Sequence, residues 1–335
     1  MTNLAAEGIE LKRIVSDALV WDNHTCMPLR PHDDFFLPQL ERCRAAGIDL
    51  VTLPAGYGTD GIEQHVRMLS LFRNFVVSHP DQYRLVLSVD DAMAAKAEGK
   101  LGVCFDIEGM NAVADQPDLV RLYYDLGVRW MLIAYNRANA AGGGCLEDDQ
   151  GLTSFGRRVI AQMNETGMVL CCTHAGYRTA REAIDASADP MIFSHSNPRA
   201  VWDHPRNIPD DLIVACARRG GVIGLNGIGI FLGQNDASIE TFLRHVEHML
   251  DLVGDEHIGI GLDYAYDQQE VADAVAANPK AFPPDLFPRE NGFEMIPPWR
   301  LPAIASALVS RGHTGKTIAK LFGGNLVRVA NQVWR

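Results

Sequence analysis

The chain has 335 residues, enough to bury a large apolar core without staples, and its 47% hydrophobic and 21% charged residues are ordinary for a compact protein. Thirty basic residues against 42 acidic ones leave a formal charge of −12. That balance argues against a nucleic acid partner and against docking on an anionic membrane, because both call for a basic surface. The N-terminal stretch MTNLAAEGIELKRIV reads as a short amphipathic helix and lacks the basic-then-apolar pattern of a signal peptide. From there short apolar runs alternate with helical patterns, and no internal repeat of fixed period is present. The runs are ALVWDNH (18–24), IDLVTLP (48–54), LGVCFDIE (101–108), VRWMLIAY (128–135), MVLCCTH (168–174), PMIFSH (190–195), GVIGLN (221–226) and HIGIGLD (257–263). Each is apolar on both faces, as a buried parallel strand is. Between them, HVRMLSLFRNFVVSH, PDLVRLYYDLG, SFGRRVIAQMNETG and SIETFLRHVEHMLDLVG carry apolar residues at three- and four-residue spacing, and several end in Gly. Eight such alternations predict a (β/α)8 TIM barrel, with a doubly wound open sheet as the alternative. No linker divides the chain, so residues 1–335 are expected to form one domain. The Pro-, Asp- and Asn-rich segment at about 264–300 follows the last run and is expected to overhang the barrel mouth as a long loop. TGKTIAKLFGGNLVRVANQVW then reads as two closing helices around a Gly-Gly-Asn cap. No apolar run approaches the ~18 residues of a membrane span. Seven cysteines, an odd count with several inside apolar runs, predict reduced thiols in a cytoplasmic protein.

The chemistry collects at the ends of these runs. The first ends in Asp22-Asn23-His24-Thr25-Cys26, the third in Asp106-Ile107-Glu108, the fifth in Thr173-His174, the sixth in Ser194-His195 and the eighth in Asp263. In a parallel barrel all C-terminal strand ends open on one face, and that face holds the active site. Imidazole nitrogen and carboxylate oxygen together suit zinc, and also cobalt, nickel or manganese. One glutamate can bridge two ions, and an aspartate at the rim can carry a proton to a leaving group. Each residue alone has a plainer explanation. A histidine at a strand end is more often a hydrogen-bonded structural residue. Glu108 and Asp263 can cap helices, and Cys26, Cys171 and Cys172 can be small core residues. Five such residues ending five different strands on one side is hard to obtain from capping alone.

These motifs resemble the membrane (renal) dipeptidase family, peptidase family M19, of the amidohydrolase superfamily. The resemblance runs from about residue 8 to 334. The family's opening Asp-Gly-His-Asn-Asp-Leu-Pro stands here as DNHTCMP, and its Gly-Leu-Thr-x-Phe-Gly block, helix and Asp-Leu-Ser-His as GLTSFGRRVIAQMNETGMVLCCTH. Its Ser-His-Ser-Asn is intact as SHSN (194–197), its Arg-Asn-x-Pro-Asp-Asp is RNIPDD (206–211), and its Gly-Ile-Gly-x-Asp-Phe is GIGLDY (259–264). The resemblance implies that His24 binds one metal, that Glu108 bridges two, and that His174 and His195 bind the second. It implies Asp263 as the acid/base and Arg206 as the guanidinium that grips the substrate carboxylate. Without it, Arg206 reads as a surface charge flanking a helix.

Three departures stand out. Where the family has its second ligand on the first strand, an Asp, this chain has Cys26. Either a thiolate binds zinc there and makes that site softer, or Cys26 stays a thiol and the site is weak or empty. Where the family commonly has a His beside the substrate, this chain has Tyr135, a neutral hydrogen-bond donor. The family's Asp ahead of the fifth-strand His is replaced by Cys171. The implied function is a zinc-dependent hydrolase, with one or two Zn2+ per chain, cleaving dipeptides or related small amides that carry a carboxylate. A hydroxide on the metal would attack the amide, and a homodimer is implied. The alternatives are a mononuclear amidohydrolase acting on another C–N or ester bond, and a catalytically degenerate member that binds a small ligand.

Overall fold

The computed structural model describes residues 4–16, 18–288 and 292–335. Eight parallel strands follow one another in chain order: β1 (Trp21–Asp22), β2 (Leu50–Tyr57), β3 (Leu101–Glu108), β4 (Val128–Leu132), β5 (Val169–Cys171), β6 (Ile192–Phe193), β7 (Val222–Leu225) and β8 (Ile258–Ile260). Each pairs with the next, for example Leu53 beside Phe105 and Trp130 beside Val169. The ends of the series also meet. The Asn23 N–H donates to the Ile260 carbonyl at 2.9 Å, and the Leu262 N–H to Asp22 Oδ1 at 2.9 Å. An open sheet leaves its edge strands unpaired, so this closure decides for the (β/α)8 barrel.

The strands form where the sequence is apolar on both faces. All eight residues of β3 are buried, as are seven of the eight in β2. One side of such a strand meets the barrel interior and the other meets helices. The helices follow the apolar spacing. Ser154–Thr166 buries Val159, Ile160 and Met163, starts where Thr153 Oγ1 accepts the Gly156 N–H at 3.0 Å, and stops at Gly167 with φ +91°. One strand escaped the sequence reading. Tyr83–Leu85 is only three residues long and pairs with the first half of β3, which β4 does not reach.

The last helix, Asn325–Val333, closes the end opposite the site. Its Leu326, Val329 and Val333 pack against Trp21, Leu50 and Val222, which are first residues of their strands. Asn325 Nδ2 ties it to β8 through the Ile258 carbonyl at 2.8 Å. The helix Gly315–Ala319 precedes it across a kinked turn at Lys320–Gly324, as the Gly-Gly-Asn sequence predicts.

The segment 264–300 differs from the expected loop. Its first part is a helix, Gln268–Ala277, because the Asp267 carboxylate accepts the N–H groups of Gln269 and Glu270 and a run of good helix formers follows. The remainder is irregular, and residues 289–291 of that expected loop lie outside the described residues. Among the described residues no helix is long and apolar enough to cross a membrane.

Candidate metal centre

The polar residues at the strand ends meet at the barrel mouth, mostly just past the strands that carry them. Glu108 is the last residue of β3, whereas His24 and His195 lie two residues beyond β1 and β6. His174 and Asp263 lie three residues beyond β5 and β8, at φ +66° and +59°. These are left-handed conformations that non-glycine residues adopt at a cost, and they turn both side chains out of the sheet's alternation. Beyond the barrel the β1 and β8 chains stay together as a two-residue ribbon, Thr25–Cys26 beside Tyr264–Ala265. That ribbon brings Cys26 next to Asp263, although 237 residues separate them in sequence.

Glu108 stands between two groups of donors. Its Oε1 lies 3.7 Å from His24 Nε2. Its Oε2 lies 3.5 Å from His174 Nε2 and 3.6 Å from His195 Nε2, and those two nitrogens are 3.0 Å apart. On the Oε1 side, Cys26 Sγ is 3.6 Å from His24 Nε2 and 3.4 Å from Asp263 Oδ1, and Asp263 Oδ1 is 3.5 Å from His24 Nε2. Two ligands bound at 2.0–2.1 Å to a tetrahedral ion stand about 3.4 Å apart. The spacing in both groups therefore suits divalent metal ions.

The tautomers agree. His24 Nδ1 donates to Asp106 Oδ2 at 3.2 Å and His174 Nδ1 donates to Asn136 Oδ1 at 2.7 Å. His195 Nδ1 is 2.9 Å from Ser194 Oγ, whose own hydroxyl donates to Thr173 Oγ1 at 3.4 Å. Ser194 also accepts from Cys171 Sγ at 3.1 Å, so Cys171 supports His195 through the hydroxyl. With every Nδ1 turned outward, the three Nε2 atoms point inward, and an oxygen behind each ring fixes it as in metal sites. His174 Nε2 and His195 Nε2 face each other at 3.0 Å, a separation that two ligands of one cation can take.

Glycine makes room for His195. A Cβ on Gly224 would lie 2.1 Å from the Ser194 carbonyl oxygen, and one on Gly261 would lie 2.0 Å from it. Gly224 in the neighbouring β7 and Gly261, one residue past β8, therefore both leave room for the chain at Ser194-His195 to pass.

Burial sets the charge state of the cluster. It pushes the Glu108 carboxyl up to about 8. It also acts to raise Asp263, but the imidazoles of His195 and His24 and the Arg206 guanidinium outweigh it and hold that carboxylate well below its ordinary range. Burial acts to lower His24, yet Cys26, Asp106 and Glu108 beside it leave its pKa well above the ordinary value. Burial pushes the Cys26 thiol up.

Arg206 is 3% exposed, so it is no surface charge. Its Nη2 donates to His174 Nε2 at 3.1 Å, and its guanidinium lies 5.2 Å from the Phe231 ring centre. Tyr135 stacks on His174 with ring centres 4.0 Å apart. A cavity of about 140 Å³ opens from this cluster beneath the helix Gln268–Ala277.

Asn136 and Asn226 escaped the sequence reading. Asn226 Nδ2 donates to Asp263 Oδ2 at 2.8 Å. Both stand at the ends of apolar runs, in AYNRAN and GVIGLN, so the rule that found the histidines also applies to them. The aromatic wall of the cavity, Phe231, Phe282 and Phe287, carried no such signal.

Residues 13–277 match the model of the family described as membrane dipeptidase (peptidase family M19). The chain is 27% identical over 276 residues to an uncharacterized dipeptidase of Schizosaccharomyces pombe, covering 81% of this chain and 62% of that protein. It is 27% identical over 282 residues to dipeptidase 3 of Mus musculus, covering 82% and 52%. The chain thus spans less than two thirds of the length of these relatives. Among solved structures, an amidohydrolase from Pseudomonas aeruginosa aligns with a TM-score of 0.88 at 26% identity, covering 97% of this chain and 99% of that one. A metallopeptidase from Rhodobacter sphaeroides, liganded with a phosphinate mimic of the dipeptide L-Ala-D-Ala, shares the fold with a TM-score of 0.73 at 19% identity, covering 95% and 99%.

Proposed function

The chain belongs to the membrane dipeptidase family, peptidase family M19, and on that premise we propose that it is a zinc-dependent hydrolase of dipeptides or related small amides that carry a free carboxylate. The observation that carries this reading is Glu108, whose two oxygens each face a separate group of donors at ligand spacing. His24, Cys26 and Glu108 Oε1 would hold one ion, with Asp263 beside it, and His174, His195 and Glu108 Oε2 the other. Imidazole, carboxylate and thiolate donors together favour zinc. Metal bound there would supply a Lewis acid that acidifies a water and polarises an amide carbonyl.

The protein's own groups do the rest. Asp263 is an ionised carboxylate held by Asn226, placed to take a proton from the attacking water and pass it to the leaving amine. Water thus adds across the C–N bond, its oxygen ending on the acyl carbon and its proton on nitrogen. Arg206 turns from His174 to the substrate carboxylate, which its planar fork suits. Tyr135, whose phenol burial keeps protonated, donates a hydrogen bond beside His174.

Residues 1–335 act as one unit in this reading, because the first helix joins the same core as the helix Leu301–Ser310. All seven cysteines are free, which fits a reducing cytoplasm. The dimer that the family resemblance implies is checked by light scattering. The test of function is metal analysis joined to a screen of L,L- and L,D-dipeptides and N-acyl amino acids with zinc present. Bound metal and cleavage of some member are expected. Protein that takes up no zinc overturns the reading.

A further inference from the structure

Six side chains form a closed ring of contacts around the cavity. His174 touches Arg206 at 3.1 Å, and the Arg206 guanidinium lies 5.2 Å from the Phe231 ring centre. Phe231 meets Phe287 at 6.1 Å between ring centres, Phe287 meets Phe282 at 5.3 Å, and Phe282 meets Tyr135 at 6.1 Å. Tyr135 returns to His174 at 4.0 Å. The histidine at the base and the guanidinium thus share one aromatic wall. Ile228, Ile230 and Val275 belong to the same apolar cluster and also line the cavity.

Charge narrows the choice further. Arg206 is the one Arg or Lys among the described residues lining the cavity, against Glu108, Asp263, Asp267 and Glu270. Asp267 and Glu270 are already bonded to Arg30 at the rim. A substrate carboxylate thus finds one guanidinium and no ammonium there, and away from the cluster at the base a second acidic group on the substrate would meet carboxylates or phenyl rings.

From this arrangement, and resting on the hydrolase reading above, we propose that the residue bearing the free carboxylate carries a large apolar side chain, aromatic or branched aliphatic. A carboxylate on Arg206, with its amide at Glu108 and His174, leaves the intervening Cα facing Phe231, Phe287 and Phe282. An apolar side chain there buries area against the rings, whereas Gly leaves the wall without a partner and Asp loses its hydration.

The experiment is a series of Ala-X dipeptides, X being Gly, Ser, Asp, Leu or Phe in either configuration, with the zinc-loaded full chain. Calorimetric binding of N-acetylphenylalanine and N-acetylglycine is measured beside it. For Leu or Phe, kcat/KM is expected to exceed that for Gly by roughly tenfold or more, and that for Asp by a wider margin. N-acetylphenylalanine is expected to bind at least about tenfold tighter than N-acetylglycine. Phe282→Ser and Phe287→Ser should each shrink both ratios. Cleavage of Ala-Gly or Ala-Asp as efficient as that of Ala-Phe, or equal binding of the two acids, overturns the proposal and leaves the hydrolase reading standing. If neither the dipeptides nor the N-acyl amino acids are cleaved but N-acetylphenylalanine still binds tighter, the hydrolase reading falls and the apolar subsite stands.

Discussion

Asp263 stands in an environment far from that of an exposed carboxylate. It takes one hydrogen bond from Asn226, lies 3.5 Å from His24, and is kept ionised by the positive groups around it. Asp263→Asn preserves shape and removes the proton acceptor. Turnover is expected to fall on the order of 10²–10⁴-fold with metal still bound; an enzyme that keeps its rate would remove Asp263 from the mechanism. Cys26 stands within 3.6 Å of His24 and Asp263, so a metal held by His24 would lie within reach of its sulfur. Cobalt-loaded protein is expected to show thiolate-to-cobalt charge-transfer absorption that Cys26→Asp abolishes while keeping or raising the metal count. Wild-type protein that binds cobalt without that absorption would show that Cys26 is not a ligand.

At the scale of elements, the strands fix where these side chains stand, and their glycines matter as much as their polar ends. Gly261→Ala would bring a methyl 2.0 Å from the Ser194 carbonyl. The chain would have to give way at Ser194-His195, costing about 1–3 kcal/mol in denaturant unfolding, with weaker metal binding because His195 moves. Unchanged stability would show that the β6 chain yields freely. Much of this architecture was legible in the sequence. A strand apolar on both faces, such as LGVCFDIE, has few folds open to it, and polar residues at the ends of five such strands converge once the sheet is closed. The histidines, Glu108 and Asp263 were therefore visible, because parallel strands carry their ends to one rim whatever the loops do. The aromatic wall was not. Phe282 and Phe287 lie in an irregular Pro-rich segment, and their contact with Phe231 depends on how that segment folds back over the mouth. The helix Gln268–Ala277 was missed for a nearer reason. The Pro- and Asn-rich sequence after it dominated the composition of the segment and hid a capped run of helix formers.

At the scale of the whole molecule, the buried cluster ties metal, protons and stability together. Without metal, burial pushes Glu108 up to about 8 from an ordinary value near 4.5, so at neutral pH the folded protein keeps a proton that the unfolded chain has lost. The contribution of that group to stability is full below about pH 4.5 and is lost as pH rises through about 8. Asp263 has the opposite sign. Its carboxylate is held below the ordinary range, so its contribution is present above that range and lost as the solution turns acid. Between about pH 6 and 8 Asp263 is constant and the share of stability that Glu108 gives the metal-free protein shrinks as pH rises, while the buried imidazoles of His174 and His195, held well below their ordinary range, act with the opposite sign at the lower end. Metal held by Glu108 needs the carboxylate, and His24 must give up its proton to ligate. Binding therefore releases protons and tightens with pH. Each proton released adds up to about 1.4 kcal/mol of metal-dependent stabilisation per pH unit. Thermal unfolding at fixed free zinc, with and without the metal at pH values of about 6, 7 and 8, measures that increment. It is expected to grow across the series. An increment that stays flat or shrinks would mean that the donors are already deprotonated in the metal-free fold, and Glu108 would then be held as a carboxylate by something other than the ion.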